Sequence, residues 1–286
     1  MPFTAACAQI APIKGKIERN LDAIADAIAQ ASAEGADLVM LPEASTSGYF
    51  LEGAVLESSL SPAQLLEALS TRLSGKLKRP IDALVGFYER ADAGLFNAAA
   101  YLTFGAGEPE VKLVYRKFFL PTYGVFDEER FVNRGRELGL VDTRFGRLGI
   151  LLCEDVWHSV LPMLLALRGA QMILVPSASP GRGFQGDTVE NLDRYQRLMR
   201  GVAEEHGVWC LNCQLCGFEG GKGFVGGSMA IDPNGRVTAQ SPILEEHLLL
   251  AEIDLELVTI ARAQSPLLAD LQSAWGDVRR LIAETE

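Results

Sequence analysis

The segment Gly35-Ala36-Asp37-Leu38-Val39-Met40-Leu41-Pro42-Glu43-Ala44-Ser45 returns in the second half of this 286-residue chain as Gly169-Ala170-Gln171-Met172-Ile173-Leu174-Val175-Pro176-Ser177-Ala178-Ser179. Each copy reads glycine, alanine, one polar residue, four apolar residues, proline, then any residue before Ala-Ser. Two copies restrict the chain to a fold built twice, since a solenoid stacks three or more repeats. In each copy the glycine stops a helix and the apolar run makes a short buried strand.

The surrounding pattern completes the unit. Thr4 to Ile10 is an uncharged apolar run, and Ile17, Leu21, Ile24 and Ile28 put an apolar stripe on a helix ending near Ala33. Strand, helix and strand then make a βαβ unit. Leu148 to Leu152, a helix through Leu161 to Leu167 and the strand at Met172 to Val175 make the second. Ala83 to Tyr88, Asn97 to Phe104 and Val111 to Phe119 read as strands between the halves, with Gly105-Ala106-Gly107 as a turn. A helix from about Val189 to His206, a hairpin at Met229 to Val237 and a helix from Leu267 to Ala283 follow. The expected fold is α/β: a four-layer αββα sandwich of two βα halves with pseudo-twofold symmetry. No linker divides the chain, so residues 1–286 are expected to form a single domain with a C-terminal tail from about 258.

Lys and Arg total 26 against 37 Asp and Glu, a formal charge of -11, which disfavours nucleic acid and anionic membrane as partners. The N-terminus has no signal-peptide pattern and no apolar run approaches a membrane span, so a cytoplasmic location is expected. Five cysteines do not suggest a disulfide framework. Cys210, Cys213 and Cys216 have metal-ligand spacing, and a metal or binding protein using them is the non-enzyme alternative. On a strand, however, Cys213 turns to the face opposite Cys210 and Cys216, so the three would not converge on one ion.

Three residues stand where chemistry is plausible. Cys153 follows an apolar strand at the carboxyl end where α/β sheets place their sites, and a helix beginning beyond it favours a thiolate. Glu43 occupies the equivalent end of the first repeat. Lys117 puts a charge into an aromatic and apolar strand. Each has a plain structural alternative: a core cysteine, a cap on the following segment, and a solvent-facing edge cation.

Together, Leu41-Pro42-Glu43, Tyr115-Arg116-Lys117 and Leu151-Leu152-Cys153-Glu154-Asp155 resemble the Glu-Lys-Cys triad motifs of the nitrilase superfamily of carbon–nitrogen hydrolases, in order and rough spacing. The resemblance covers nearly the whole chain. Ala8-Gln9, Asn20-Leu21, the segment Phe126 to Phe131 and the late Gly227 to Gly235 hairpin also fit. It implies hydrolysis of a small linear amide without a cofactor. Cys153 would be the nucleophile that forms a thioester. Glu43 would be general base and acid, and Lys117 with the backbone N–H of Glu154 would stabilise the oxyanion. Glu128, in preference to Glu129, would hold the geometry. The resemblance also implies a homodimer or higher homo-oligomer, its C-terminal segment crossing to the neighbour from about Arg262 and Pro266.

Within the superfamily, Cys153-Glu154-Asp155-Val156-Trp157, Leu120 to Glu128 and Ser177-Ala178-Ser179-Pro180 look much like the glutaminase domain of glutamine-dependent NAD synthetases. The chain ends at Glu286 and has no Ser-Gly-Gly-x-Asp-Ser pyrophosphatase loop. Two expectations follow: an amidase working alone, which is preferred, or a free-standing glutaminase that delivers ammonia to a separate NAD synthetase-like chain. Nitrile hydrolysis ranks below both. Tyr123 and Ser177 are candidate substrate contacts. Arg182 is a candidate partner for a substrate carboxylate, with an exposed loop arginine as the alternative. The acyl group is expected to be selected by the segments 181–187 and 218–224. Gly217 to Gly223 lacks the spacing and the Ser or Thr of a phosphate loop and reads as a flexible loop near the pocket mouth. His158 projects away from Cys153 on a helix, so no Cys-His dyad is expected.

Overall fold

Side chains alternate across the first strand, β1 (Phe3–Gln9), and both faces are covered. Phe3, Ala5 and Cys7 pack toward a second sheet, while Ala6 and Ala8 pack toward helices. Burial on both faces is why the strand reads as a continuous apolar run. The computed structural model describes residues 2–92, 94–185 and 188–285, with the backbone alone at 184, 185 and 188.

The first sheet adds β2 (Leu38–Met40), β3 (Ile81–Ala91), β4 (Gly94–Phe104) and β5 (Glu110–Arg116). The second contains β6 (Gly139–Asp142), β7 (Arg147–Ile150) and β8 (Met172–Ser177). After the short hairpin of β9 (Phe184–Gln185) and β10 (Thr188–Val189), it continues with β11 (Trp209–Gln214). A second hairpin, β12 (Cys216–Glu219) and β13 (Lys222–Val225), precedes β14 (Met229–Ile231) and β15 (Val237–Gln240), and β16 (His247–Ile253) returns to the first sheet. The strand orders are β16-β1-β2-β3-β4-β5 and β6-β7-β8-β11-β14-β15. Read in those directions, both sheets pair antiparallel, parallel, parallel, antiparallel, antiparallel. That shared pattern is the physical form of the sequence repeat.

Helices α1 (Ile17–Ala33) and α2 (Pro62–Leu73) cover the first sheet with Leu21, Ile24, Ile28, Leu65, Leu69 and Leu73. Ser61 and Gln64 close a capping box at the start of α2, satisfying N–H groups that a helix leaves unpaired. On the far side, α3 (Val160–Leu167) and α4 (Glu190–His206) cover the second sheet with Leu161, Leu165, Tyr195, Met199 and Val202. The result is two mixed sheets face to face between helical layers, the expected αββα sandwich. After α5 (Glu256–Gln264), the C-terminal segment forms α6 (Leu267–Ala283), which lies on α3 and α4 of its own chain. It buries Leu268 and leaves Leu267, Leu281 and Ile282 exposed. No helix among the described residues is long and apolar enough to cross a membrane.

Two local expectations are corrected. The glycine-rich stretch Gly217 to Gly223 is not a loose loop but the β12–β13 hairpin, turned by Gly220 and Gly221 at φ +55° and +80°. Positive φ at both central residues matches the right-handed twist of the strands it joins. The strand expected to run to Phe119 ends at Arg116, because the Phe118 and Phe119 N–H groups leave the ladder and donate to Asp155. Cys213 faces the first sheet, its Sγ 3.2 Å from the Met40 carbonyl oxygen. No cluster of three or more His, Cys, Asp or Glu among the described residues could hold a metal ion.

The strand ends are packed too tightly for a side chain at Gly86 on β3. A Cβ there would lie 2.2 Å from the Pro42 carbonyl oxygen and 2.7 Å from the Glu43 Cα. Gly86→Ala is therefore expected to destabilise the fold by about 1–3 kcal/mol, the range for overpacking a filled core. Urea unfolding checks this, and an unchanged midpoint would mean that the Pro42–Ala44 turn yields freely.

Candidate active site

Glu43 leaves β2 through Leu41-Pro42 and enters a tight turn in which Ala44 takes φ +54°. Cys153 leaves β7 in the same way and itself takes φ +47°. A non-glycine residue held there costs on the order of 1–3 kcal/mol, so the surrounding structure must impose it. By the pseudo-symmetry of the sheets Glu43, at the end of β2, corresponds to Ser177 at the end of β8, whereas Cys153 follows β7, the neighbouring parallel strand.

Lys117 lies one residue beyond β5. Its N–H donates to Asn97 O at 2.8 Å, and its carbonyl accepts from Gly135 N at 2.6 Å. Its ammonium is 2.8 Å from Glu43 Oε1 and 2.7 Å from Glu128 Oε1. The Lys117 and Glu43 side chains are 0% exposed, so neither is a solvent-facing charge. Asn97 donates its amide to Glu43 Oε1 at 2.8 Å, and Ala178 N–H donates to Glu43 Oε2 at 2.8 Å. The Tyr49 hydroxyl donates to Glu128 Oε1. Glu129 is exposed and takes no part. Burial by itself would lower the Lys117 pKa, but Glu128, Glu43 and Cys153 outweigh it and hold the pKa well above the usual lysine range. Burial pushes the Glu128 carboxyl up, with Glu43 adding to the rise and Lys117 opposing it. Of the three ammonium protons two are engaged, leaving one donor for a ligand.

Cys153 opens a short 3-10 helix, Cys153–Trp157. The first N–H groups of a helix lack intrahelical partners, which leaves the Glu154 N–H available beside the sulfur. Cys153 is 6% exposed, and its Sγ lies 3.0 Å from the Tyr195 hydroxyl on α4. Burial pushes the thiol pKa up, and the Glu43 charge adds to it. Lys117, the Tyr195 hydroxyl and the Ala178 N–H pull it down. The Ala178 N–H thus serves both Glu43 and the thiol region. Among the described residues no hydrogen bond joins Glu43 to Cys153 directly.

Asp155 locks the nucleophile turn to the lysine strand. Its carboxylate accepts from Leu152 N at 3.1 Å, Phe118 N at 3.1 Å, Phe119 N at 2.8 Å and the Tyr115 hydroxyl at 2.7 Å. Burial still raises its pKa from 3.8 to about 6 against those donors. Because the folded value is raised, the stability tied to this titration is full below about pH 4 and is lost as pH rises through about 6, at most about 1.4 kcal/mol per pH unit. Asp155→Asn presents one acceptor oxygen to four donors, so it is expected to destabilise by about 2–3 kcal/mol at neutral pH. Its penalty relative to wild type should be larger at pH 4.5 than at pH 7. Urea titrations at both pH values check this, and a penalty growing with pH would contradict the sign.

Two cavities border residues of the site, although Cys153 itself lines neither. One, of about 480 Å³, is lined by Tyr49, Phe50, Tyr88, Phe126, Glu128 and Lys222 among others. The other, of about 420 Å³, is lined by Tyr123, Glu154, Trp157, His158, Arg182, Glu190, Asn191 and Arg194. Phe126 stands between them, with the Tyr123 ring 5.6 Å away edge-on and the Arg182 guanidinium 5.3 Å from its centroid. Tyr123 and Arg182 therefore reach a cavity, whereas Ser177 is fully buried and lines neither. His158 stacks on Phe119 at 3.7 Å and makes no hydrogen bond to Cys153. Of the segment 181–187, Gly186 and Asp187 lie outside the described residues. Four residues of the site escaped sequence reasoning: Asn97, Tyr49, Asp155 and Tyr195. Asn97 could have been found as the lone amide in the apolar run Phe96 to Tyr101, and Tyr195 had no comparable signal.

Comparison with known proteins places the chain in a family. The chain is 32% identical over 253 residues to a glutamine-dependent NAD(+) synthetase of Thermotoga maritima, a match covering 87% of this chain and 42% of that protein. Its match to the Synechocystis enzyme of the same name is 28% identical and covers 96% of this chain and 50% of that one. The chain thus spans half or less of the length of these relatives. In three dimensions it is similar to an amidase from Nesterenkonia sp., with a TM-score of 0.73 at 27% identity and 96% of both chains covered. It is also similar to the glutamine-dependent NAD+ synthetase of Acinetobacter baumannii, with a TM-score of 0.78 at 26% identity, over 90% of this chain and 47% of that one. The carbon-nitrogen hydrolase sequence family matches residues 4–263, and the chain belongs to that family.

Proposed function

We propose that this protein hydrolyses the carbon–nitrogen bond of a small linear amide through a thioester on Cys153, releasing ammonia or an amine. The observation that carries the reading is the buried Lys117 ammonium, held between Glu43 and Glu128 with one donor free, beside a buried thiol at a strained strand end. A structural ion pair does not require the thiol, and a core cysteine does not require the strain.

In this mechanism Glu43 accepts the Cys153 thiol proton as sulfur attacks the carbonyl carbon. The oxyanion that develops takes hydrogen bonds from the free Lys117 N–H and the Glu154 backbone N–H, each such donor contributing about 3 kcal/mol to the barrier reduction. Glu43 passes its proton to the leaving nitrogen, and the C–N bond breaks to leave the thioester. Water enters, Glu43 takes one of its protons, and collapse of the second tetrahedral intermediate returns that proton to sulfur and frees the acid. Glu128 and Tyr49 keep the Lys117 ammonium aimed. In a mutant of the Nesterenkonia amidase the acetamide moiety of fluoroacetamide is found added covalently at the active-site cysteine, which supports a nucleophilic thiol here. The protein acts as one catalytic domain without a cofactor and as a homo-oligomer.

One observation favours a second reading, a glutaminase that supplies ammonia to a separate synthetase-like chain. The cavity beside Glu154 carries both signs, Glu154 and Glu190 with Arg182 and Arg194, which suits the ammonium and carboxylate of an amino-acid amide. Ammonia release from a panel of simple amides and from glutamine separates the two. Mass spectrometry of the Cys153 peptide after an acid quench should show an acyl adduct. Turnover of simple amides supports the first reading. Release confined to glutamine, and enhanced by the second chain, supports the other. No release and no adduct would sink both.

A further inference from the structure

The sulfur of Cys153 lies against Tyr195, at the end of a row of buried polar side chains separate from the Glu43–Lys117 pair. Gln214 donates its side-chain amide to Asn212 Oδ1 at 2.7 Å. Asn212 Nδ2 donates to the Val175 carbonyl at 2.7 Å and to Ser177 Oγ at 2.9 Å. The carbonyl acceptor fixes which end of the Asn212 amide is nitrogen, because only N–H can face it. Ser177 therefore receives a proton at its oxygen and has a single proton of its own to give. The Val175 carbonyl, at 3.5 Å, is a poor acceptor for it. The Ser177 hydroxyl acts on Tyr195 as a donor would, favouring negative charge on the phenol oxygen. The Tyr195 oxygen lies 3.0 Å from Cys153 Sγ, and once the thiol is ionised only the phenol has a proton to give between them. Gln214, Asn212, Ser177 and Tyr195 are all buried, so water does not compete for these donors. The Trp157 ring edge-on at 5.0 Å holds the Tyr195 ring in place.

We propose that Tyr195 is a catalytic residue whose hydroxyl donates to the Cys153 sulfur, with Ser177, Asn212 and Gln214 orienting that donor by passing hydrogen bonds in one direction. This rests on Cys153 being the nucleophile of the proposed reaction. A buried thiol has no water to stabilise it once ionised, and a donor fixed on it supplies that stabilisation without reorganisation. The groups whose charge bears on the sulfur are Glu43 from the β2 end, Lys117 from the β5 end and Tyr195 on α4, with Tyr49 and Tyr123 further out. Among the neutral groups in that set, Tyr195 alone touches the sulfur.

Ser177 is then a positioning residue and not a substrate contact. Alkylation of Cys153 by iodoacetamide, followed from pH 6 to 10.5 by mass spectrometry of its peptide, tests the chain without any amide substrate. Tyr195→Phe keeps the ring and removes the donor. It is expected to move the midpoint of the alkylation profile upward by about one pH unit, so that the rate on the rising limb falls roughly tenfold. Ser177→Ala should move it the same way by less, because the Tyr195 proton is then free to turn aside. A midpoint unchanged in both variants, with only the limiting rate reduced, is what lost packing alone would produce, and it would overturn the proposal. Should wild type turn over no amide while the midpoint still shifts, the proposed hydrolysis fails and the donor chain stands.

Discussion

Cys153→Ala is expected to lose amide turnover by at least about 10⁴-fold while the protein stays folded. No other thiol can stand in. Cys7, Cys210, Cys213 and Cys216 are buried in the core, and burial holds the Cys210, Cys213 and Cys216 thiols well above the usual range. The strain at φ +47° is unchanged by alanine, since both residues carry the same Cβ. Stability should therefore change by about 1 kcal/mol or less, the scale of one small core group. Ammonia release and circular dichroism on the same preparation check the pair of statements. Turnover surviving in a folded variant would remove Cys153 from the mechanism.

Lys117→Met is expected to damage both fold and function. The ammonium is 0% exposed and is the only cation bonded to Glu43 and Glu128 among the described residues. Its removal leaves two carboxylates facing each other without a counter-charge, a change that typically destabilises by about 3–5 kcal/mol. The variant should recover stability as pH falls, because Glu128, already raised by burial, takes up a proton and ends the repulsion. The sign is that of a raised carboxyl: stability present at low pH and lost as pH rises. Activity should fall by a further 10²–10³-fold from the lost oxyanion donor, measured where the variant is still folded. Lys117→Arg should not rescue it, since a planar guanidinium cannot replace a compact ammonium shared by two acids. Urea unfolding at pH 5 and pH 8 decides the case. Equal stability at the two would show that the acids find another partner.

The architecture was legible because it is written locally. The run from Leu38 to Met40 and its repeat from Met172 announce buried strands within a few residues, and Gly35 and Gly169 announce where the helices stop. The α6 span, Leu267–Ala283, was readable from its pattern for the same reason. Gly217 to Gly223 misled because glycine allows both a loose loop and a tight turn, and only the pairing of Cys216 with Val225 chooses between them.

The strand-end positions of Glu43 and Cys153 were thus determined by the sequence alone, since an apolar run, a breaker and a polar residue specify a strand end wherever the strand is placed. Their chemistry was decided by tertiary structure. Glu43 meets Lys117 across 74 residues and Ala178 across 135, and Cys153 meets Tyr195 across 42. Local pattern carries no record of such separations. Asp155 looks like one more acid after a cysteine until the sandwich closes and four donors converge on it. Tyr195 looks like one more apolar position of α4 until the second sheet sets its hydroxyl against the sulfur. Periodicity reports which face of an element is buried, but only the packing of the two sheets determines what a buried polar group meets there.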